Sequence, residues 1–486
     1  MIDFSNIEKY KENNRIEAKK ALGGLPHSIW ETYSAFANTL GGIILLGVEE
    51  YKDKSLHPID LPDPHKLINE FWNIVNNENR VSANVLSYKD VTVEDIDGKR
   101  IVAIRVPRAQ RRDKPVYVDG NAFLGTYRRN GEGDYKCTKE QVQAMIRDSE
   151  GTTQDMTVLK DVGLDALDGD SVKDYRIRMK TCRLRHDWEE LEDVDLLYRL
   201  GAVDRADDGR MHPTAAGLLM FGFQRDIVKE FPEYLLDYQE QLDANACVTD
   251  RLVSSSGDWS GNVYCFYCRV YNKITGDIRL HAKLEEGGCV EGTAVHKALR
   301  EALANCLINA DYYGRQGVVI VKKKDVITLS NPGSFRIDVE AAKSGGVSDP
   351  RNSALIKMFS LIDVGKRSGS GIPNIFSVWK KQGWPAPIID ESFDPDRITL
   401  SLPISKSGRK KAASKCASKN AMAKTVAHKQ AIIAYLTENV FANSIEIAEL
   451  VGLKPTRARE ILDEMVNEHI VIAEDYGKDR VYKLKS

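Results

Sequence analysis

The pattern of apolar and polar positions is clearest around residue 300. Between His296 and Leu307 the apolar residues recur at helical spacing, which predicts a helix with one face packed inward. Glu301, Asn305 and Asn309 stand four apart on another face of the same segment. The pattern therefore predicts a helix that presents a polar stripe.

After this helix the pattern changes to short runs of β-branched residues. The runs 318–321 and 326–329 predict a hairpin that ends in Asn331-Pro332-Gly333. Further along, Gly369-Ser370-Gly371 opens another predicted helix, whose first backbone amides can cradle an anion. The segment thus predicts a helix, a hairpin, a glycine turn and then a second glycine turn that leads into a helix.

The first 150 residues show a different alternation. Residues 30–37 have helical spacing, Gly41-Gly42 ends that helix, and the apolar run 43–50 predicts a central strand. Further strands are predicted at 101–106, at 116–118 and up to Tyr127-Arg128-Arg129. This part is predicted to be a mixed α/β domain.

After the first domain the pattern becomes mainly helical. Thr138 and Gln141 form a capping-box pair at the start of a short helix. Residues 171–222 predict two helices and a turn, similar to a small winged-helix-like insert, and we interpret this part as structural. Beyond it, 231–234 and 263–271 predict strands. The Ser/Gly-rich 254–261 is interpreted as a linker, with a loop near a bound phosphate as the alternative.

The C-terminal part combines a basic stretch with a compact pattern of short elements. Residues 405–430 hold seven lysines and one arginine but no acid, which is typical of a flexible cationic linker. Predicted helices at 444–453 and from Thr456 onward, followed by a hairpin that includes Lys478, indicate a helix-turn-helix with a wing. Such a domain would bring Thr456, Arg457, Arg459 and Lys478 to DNA, although winged helices also bind proteins.

The fold class is therefore α/β multidomain, with an α+β first domain, an α/β sandwich and small winged-helix domains. We divide the chain at changes of pattern into 1–150, 151–222, 223–404, 405–430 and 431–486.

Composition narrows the class of protein. With 486 residues, of which 42% are hydrophobic, the chain is long enough for two to four domains with real cores. The 69 basic and 71 acidic side chains give a net charge of −2, so nucleic-acid binding requires a local basic patch.

No window approaches eighteen apolar residues, and the charged first twenty residues do not form a leader, so we expect a cytoplasmic protein without a membrane partner. The eight cysteines form neither a disulfide framework nor a zinc pattern, and Cys265 and Cys268 are interpreted as buried thiols.

A Glu and an Asn one turn apart suit phosphate chemistry. The carboxylate can polarise a water molecule, and the carboxamide can ligate a magnesium ion that bridges phosphates. The alternative is that Glu301 and Asn305 belong to an ordinary solvated helix face.

With its two glycine turns, this segment resembles the Bergerat-fold ATPases, and more closely a divergent branch found in bacterial transcriptional regulators loosely called RecG-like. The resemblance implies an ATP site in which Glu301 is the water-activating base, Asn305 the Mg²⁺ ligand, Asn331-Pro332-Gly333 the adenine-side turn and Gly369-Ser370-Gly371 the phosphate-side turn. It also implies that the loop 345–352, which precedes a predicted helix at 354–362, is a lid. Ser330 and Asn331 stand where better-known members carry an Asp. No GxxxxGK[ST] motif occurs, so the sequence does not support a helicase.

The first domain carries a second resemblance. Glu17-x-Lys19 together with AFANTLGGIILLGVEE is similar to the Schlafen/AlbA-like domain. In the Schlafen branch, this spacing implies a metal-dependent ribonuclease site with Glu12 and Glu17 on the metal, Mg²⁺ or Mn²⁺, and with Lys19 at the scissile phosphate. The third acid is expected at Glu49, Glu50 or Asp53, with Glu49 taken as the candidate. Lys19, Arg128 and Arg129 are expected to contact nucleic acid.

Two functions remain open from the sequence. The first is an ATP-binding, nucleic-acid-binding regulator, of transcription or in phage defence, in which the nucleotide state controls contact with DNA or RNA. The alternative is a Schlafen-like metal-dependent endoribonuclease in which the Bergerat domain is a sensor or an assembly module. A weak ATPase activity is a third alternative, and the resemblance implies a homo-oligomer.

Overall fold

The computed structural model describes most of the chain. It covers residues 4–183, 186–188, 190–242, 248–276, 293–365 and 369–404; towards the C-terminus it covers 429, 432–433, 435–437, 439, 441–450, 458, 462, 465–466, 470–476 and 479–484. The chain forms two compact units, Met1–Ser405 and Lys406–Ser486, and each is described by itself.

The N-terminal region of the first unit is built on a four-stranded sheet of order β1-β2-β6-β5. Strands β1 and β2 are parallel, and the other neighbours are antiparallel. The strands of this region are β1 Ile16–Lys19, β2 Gly42–Leu46, β3 Val48–Glu50, β4 Leu56–Pro58, β5 Val91–Ile96, β6 Lys99–Val106, β7 Tyr127–Asn130 and β8 Gly133–Lys136. The helices are α1 Ile29–Asn38, α2 Pro64–Val75, α3 Ala122–Gly125 and α4 Lys139–Ser149.

The predicted order of helix, glycine stop and buried strand is confirmed. Helix α1 packs its apolar residues against β2 and β6, and the chain leaves it through Gly41, which has a φ of 72°. A Cβ atom at Gly41 would lie 2.8 Å from the carbonyl oxygen of Val106, so only glycine fits this turn. The capping box of Thr138 and Gln141 at the start of α4 is also confirmed.

The strand predicted at 116–118 is wrong. This segment forms only isolated bridges, from Tyr117 to Thr126 and from Val118 to Val81. The buried side-chain amide of Asn38 instead accepts from the N–H of Val116 at 2.9 Å and donates to its carbonyl at 2.8 Å. A side chain thus satisfies the backbone groups that a strand would pair.

Residues 150–235 continue directly into the next region. This part holds α5 Gly169–Cys182, α6 Asp193–Leu200, the hairpin β9 Val203–Arg205 and β10 Met211–Pro213, α7 Ala215–Phe221 and α8 Gln224–Glu230. Their apolar side chains belong to one hydrophobic cluster that runs from Leu159 to Ile404. The helices and the turn predicted here therefore pack into the same core as the sheet that follows.

That sheet has six strands in the order β12-β11-β13-β14-β16-β15. Only β11 and β13 are parallel neighbours. The strands are β11 Leu236–Gln241, β12 Asp250–Val253, β13 Val318–Lys323, β14 Val326–Pro332, β15 Ile388–Phe393 and β16 Asp396–Pro403. The helices are α9 Val263–Thr275, α10 Ala294–Ile308, α11 Val339–Ser344, α12 Ser353–Leu361 and α13 Gly371–Gln382. The predicted hairpin is β13 and β14, and the helices expected around Glu301, at 354–362 and after the second glycine turn are α10, α12 and α13.

Two strands predicted at the beginning of this region are wrong. Residues 263–271 lie in α9, where Val263, Tyr267, Val270 and Ile274 are buried at helical spacing and the side chain of Asn262 caps the first turn. Residues 231–234 form a turn before β11, in which the N–H of Tyr234 donates to the carbonyl of Phe231. Pro232 has no backbone N–H and so cannot donate a hydrogen bond to a neighbouring strand, which agrees with this turn.

The second unit holds a three-stranded sheet of order β17-β19-β18. Its elements are β17 Ala442–Asn443, α14 Ser444–Leu450, β18 Val471–Tyr476 and β19 Asp479–Leu484. The predicted first helix and the hairpin of the wing are therefore present. Thr456, Arg457, Arg459 and Lys478, and residues 405–428 of the predicted linker, lie outside the described residues. Among the helices that the structure describes, none is both long enough and apolar enough to cross a membrane.

Candidate functional site

A cleft between α10, α13 and the strands β14 and β16 brings the predicted nucleotide residues together. It encloses about 1170 Å³ of empty space, including the open part at its mouth. Five of the six predicted residues line it, namely Glu301, Asn305, Asn331, Gly369 and Gly371.

Helix α10 supplies the polar wall because its two faces have different surroundings. The apolar face, with Ala298, Leu299, Leu303 and Leu307, is fully buried in the core. The stripe of Glu301, Asn305 and Asn309 is only half-buried and faces the cleft. The stripe predicted from the sequence is thus the wall of a cavity and not an open solvated face.

The glycine turn before α13 lies directly against this stripe. A Cβ atom at Gly371 would lie 3.0 Å from Nδ2 of Asn305 and 3.3 Å from Oε2 of Glu301. Gly369 has a φ of 64°, and a Cβ there would lie 2.5 Å from the carbonyl oxygen of Val347. Gly369 therefore requires glycine, and a side chain at Gly371 would press on the ends of Asn305 and Glu301, because the backbone at the start of α13 comes close to the polar stripe. The backbone amides at a helix N-terminus suit a phosphate group.

The opposite wall is apolar and suits a planar ring. It is formed by side chains from the sheet and from α12 and α13, namely Leu329, Ile356, Ile375, Ile389, Ile398 and Leu400. Asn331 is 4% exposed, and its Nδ2 donates to the carbonyls of Asn309 at 3.4 Å and Pro332 at 3.2 Å. The hydroxyl of Ser330 pairs with that of Thr399 at 2.6 Å.

The predicted turn Asn331-Pro332-Gly333 is arranged differently from the expectation. Asn331 and Pro332 are the last residues of β14, and only Gly333 turns, with a φ of 100°. A Cβ at Gly333 would lie 2.9 Å from the guanidinium of Arg351. The missing side chain at Gly333 therefore leaves room for the guanidinium of Arg351 at the rim. Gly333 does not itself line the cleft.

The rim contains charged residues that the sequence did not identify as site residues. Arg336, Asp349 and Arg351 all line the cleft. Arg351 is buried and binds both carboxylate oxygens of Asp148, at 2.7 and 2.8 Å. Arg111 donates through Nε to Asp349. The signal in the sequence was the charged end, 349–351, of the loop interpreted as a lid.

The acidic residues of the N-terminal region form a separate cluster. Glu17 is held on both oxygens, by Nζ of Lys19 at 2.9 Å and by the guanidinium of Arg129 at 2.8 Å. Glu12 accepts from the N–H of Ala18 at 2.9 Å. Burial raises the pKa of Glu12; the Ala18 hydrogen bond opposes this shift, and the nearby charges of Glu17 and Glu50 add to it.

Among the three acids expected to complete this cluster, the structure brings only Glu50 to Glu12. Glu50 acts electrostatically on Glu12, and its Oε1 is buried without a hydrogen-bond partner. Glu49 instead pairs with Lys20, and Asp53 accepts from the backbone and hydroxyl of Ser55. The choice of Glu49 therefore conflicts with the structure, because neighbouring residues of a strand point to opposite sides.

This cluster does not fit a metal ion in its present arrangement. Both oxygens of Glu17 are already occupied by cations, and within the described part of the chain no group of three His, Cys, Asp or Glu side chains could hold a metal ion. A carboxylate needs an oxygen lone pair directed at the metal. The predicted metal ligand Glu17 is thus held in an ion-pair network, and Glu12 accepts from the backbone N–H of Ala18.

The expectation that Arg128 and Arg129 contact nucleic acid conflicts with their placement. The side chain of Arg128 is 8% exposed and binds both oxygens of Asp396, at 2.7 and 3.0 Å. The side chain of Arg129 is 1% exposed and pairs with Glu17 and Asp134. Lys19 is 13% exposed and pairs with Glu17. These cations neutralise carboxylates within the chain.

Three family models match separate parts of the chain. Residues 12–138 match "Schlafen, AlbA_2", residues 143–237 match "Domain of unknown function (DUF8451)", and residues 316–400 match "Putative ATP-dependent DNA helicase recG C-terminal". The protein is thus a mixed α/β multidomain protein with a Schlafen/AlbA-type domain and a RecG C-terminal-like region. The third match begins after α10 and so does not include Glu301 or Asn305.

Six chains in solved structures are similar to this chain, and two of them follow. The DIP2311 protein from Corynebacterium diphtheriae is 16% identical, with 97% of this chain and 95% of that chain covered and a TM-score of 0.39. The N-terminal domain of the "Putative ATP-dependent DNA Helicase RecG-related Protein" from Nitrosomonas europaea is 29% identical, with 28% of this chain and 95% of that chain covered and a TM-score of 0.23. No curated protein matches the chain.

Proposed function

We propose that the protein is an ATP-binding, nucleic-acid-binding regulator in which nucleotide occupancy controls contact with DNA or RNA. The observation that carries this proposal is the cleft, where a Cβ atom at Gly371 would lie 3.0 Å from Nδ2 of Asn305 and 3.3 Å from Oε2 of Glu301. The match of residues 316–400 to an ATP-dependent family and of residues 12–138 to the Schlafen/AlbA family supports it.

The cleft offers a partner for each part of the nucleotide. The apolar wall suits the purine ring, and the amides before α13 suit the phosphates. Asn305 would hold a Mg²⁺ ion, which neutralises phosphate charge when it is bound. Glu301 lies one turn away on the same wall and is the group placed to orient a water molecule.

The rim supplies a physical route from the nucleotide to the N-terminal region. Asp349 and Arg351 line the cleft, and they bind Arg111 and Asp148 of the N-terminal region. A ligand that repacks the rim changes these ion pairs, and it shifts the equilibrium between conformations by its differential affinity for them.

The experiment is an ATP titration of the full chain by calorimetry, combined with gel retardation of short duplex DNA and of tRNA with and without ATP and Mg²⁺. We expect ATP to bind and to change retardation, and we expect Asn305→Ala to lose both effects. Asn374→Ala is the control, because Asn374 is exposed on α13 and does not line the cleft. Retardation that is the same with and without bound ATP would refute the regulatory coupling, and absence of ATP binding would refute the cleft assignment.

A ribonuclease is the second candidate function, favoured by the proximity of Glu17 and Glu50 to Glu12 and by the ion pair of Glu17 with Lys19 in a Schlafen-type domain. The test is incubation of the full chain with total tRNA with and without Mg²⁺ or Mn²⁺. Cleavage that is lost in Glu17→Gln, in a variant that still binds ATP, would establish this activity. If no RNA is cleaved under any of these conditions, the cluster is structural.

A further inference from the structure

A second, smaller cavity lies between the N-terminal region and the nucleotide region of the first unit. It encloses about 340 Å³ of empty space, including its opening. Its polar lining consists mainly of cations: Arg111, Lys114, Arg128 and Arg336 line it together with a single carboxylate, that of Asp148. The cavity is distinct from the cleft, although Ser334, Phe335 and Arg336 line both.

Two of these guanidinium groups have a buried N–H without an acceptor. Arg128 uses its terminal nitrogens on Asp396, and Arg336 donates from its terminal nitrogens to the carbonyls of Pro350 and Asp148. In both side chains Nε is buried and has no hydrogen-bond partner, although a carboxylate oxygen of Asp349 lies 3.9 Å from Nε of Arg336. The side chains are only 8% and 6% exposed. A buried charged donor without an acceptor costs free energy, so an acceptor is expected in the cavity.

The carboxylate that lines the cavity is already engaged. Asp148 has both oxygens on Arg351, at 2.7 and 2.8 Å. Nζ of Lys114 donates to the carbonyl of Asn38 at 3.1 Å, which is a neutral acceptor. Burial, together with repulsion from Arg108 and Arg128, lowers the pKa of Lys114 to about 7. The cavity is thus lined by two buried Nε groups that make no hydrogen bond and by an amino group that donates to a neutral carbonyl.

We propose that this cavity is a binding site for a small inorganic anion, of the size of chloride or phosphate, held by Nε of Arg128, Nε of Arg336 and Nζ of Lys114. The anion supplies the acceptors that the protein does not provide and offsets the repulsion among the cations. The site therefore joins the N-terminal region to Arg336, a residue of the cleft rim, through a bound ion.

The experiment uses the full chain and two anions. Crystals are grown with bromide in place of chloride, and anomalous scattering locates the bromide. In parallel, thermal unfolding is followed while bromide or phosphate replaces gluconate at constant ionic strength. We expect bromide density within hydrogen-bond distance of the three nitrogens and a saturable rise in Tm of about 1–3 °C. The anion that saturates at the lower concentration identifies the preferred ligand.

Lys114→Met tests the assignment to this cavity, and Lys139→Met, at an exposed position of α4, is the control. The saturable rise should disappear in the first variant and persist in the second. If Lys114→Met does not fold, the bromide density in the wild-type chain decides alone. Water in place of bromide at Arg128 Nε, or an equal response of wild type and a folded Lys114→Met variant, would overturn the proposal.

Discussion

The cleft between α10 and α13 and the acidic cluster of the N-terminal region hold similar side chains in different surroundings. In the cleft, Glu301 and Asn305 border a large empty volume, and a glycine keeps the opposite backbone close to them. In the acidic cluster, both oxygens of Glu17 are bound by Lys19 and Arg129. Carboxylates at a suggestive spacing are therefore not sufficient for a site, because the charges that surround them decide whether they can accept a ligand.

The difference comes from which groups lie opposite the carboxylates. Arg129 is delivered by β7 and reaches Glu17 on β1 with its side chain only 1% exposed. In the cleft, Gly371, which has no side chain, lies next to Glu301 and Asn305. Three substitutions test this contrast. The first removes the buried cation, the second fills the glycine position and the third removes the charge of a carboxylate.

The largest effect is expected from the loss of the buried cation. Arg129→Met leaves Glu17 and Asp134 without their shared guanidinium, and should lower the free energy of unfolding by about 3–5 kcal/mol. Chemical denaturation of the full chain measures this. Arg105→Met is the matched control, because Arg105 is 38% exposed and pairs with a single carboxylate, that of Glu94, so its loss should cost about 0–1 kcal/mol. Equal effects of the two substitutions would show that the cluster does not depend on Arg129.

A smaller effect is expected from filling the glycine position in the cleft. Gly371→Val places a side chain against Asn305 and Glu301, and should weaken ATP binding at least ~30-fold, which corresponds to about 2 kcal/mol. Calorimetric titration measures the affinity, and circular dichroism verifies the fold. Gly169→Val, at the start of α5 where a Cβ meets nothing within 4 Å, should leave the affinity unchanged. Unchanged binding in Gly371→Val would place the phosphates elsewhere.

The smallest effect is expected from replacing a single titratable group, the carboxyl of Glu12. Burial raises the pKa of Glu12 above 4.5, so the folded chain holds this proton more tightly than the unfolded chain. The stabilisation is complete below that value and is lost as pH rises through the raised pKa. Glu12→Gln should therefore gain stability relative to wild type as pH rises from about 4 to about 7. Denaturation at several pH values measures this, with the exposed Glu70→Gln as control. A difference that is independent of pH would contradict the assigned environment.

The sequence was most informative where short-range periodicity decides the structure. Helix α10, the hairpin of β13 and β14, and the glycine turn before α13 all follow from spacing within a few residues. Helix α9 did not, because its aromatic and β-branched run, VYCFYCRVY, has the composition of a strand while burial at every third or fourth residue makes it a helix. Composition and periodicity disagreed, and tertiary packing follows the periodicity.

Partners that are distant in the sequence could not be predicted. Arg128 pairs with Asp396 and Arg351 pairs with Asp148, and more than two hundred residues of sequence separate the two partners in each case. The choice of Glu50 over Glu49 depends on which side of β3 faces Glu12, which the apolar run alone does not fix. The sequence therefore identified residue types suited to chemistry, whereas their neutralisation by remote cations became visible only in the fold.

The continuous hydrophobic cluster from Leu159 to Ile404 has a consequence for how this protein can be divided or recombined. A fragment that begins at residue 223 would lack α5, α6 and α7, whose apolar side chains complete the core behind the cleft. Asp155 also caps α12 through the N–H groups of Ala354 and Leu355. An exchange of the cleft-containing region between homologous proteins would therefore have to transfer residues 153–404 together.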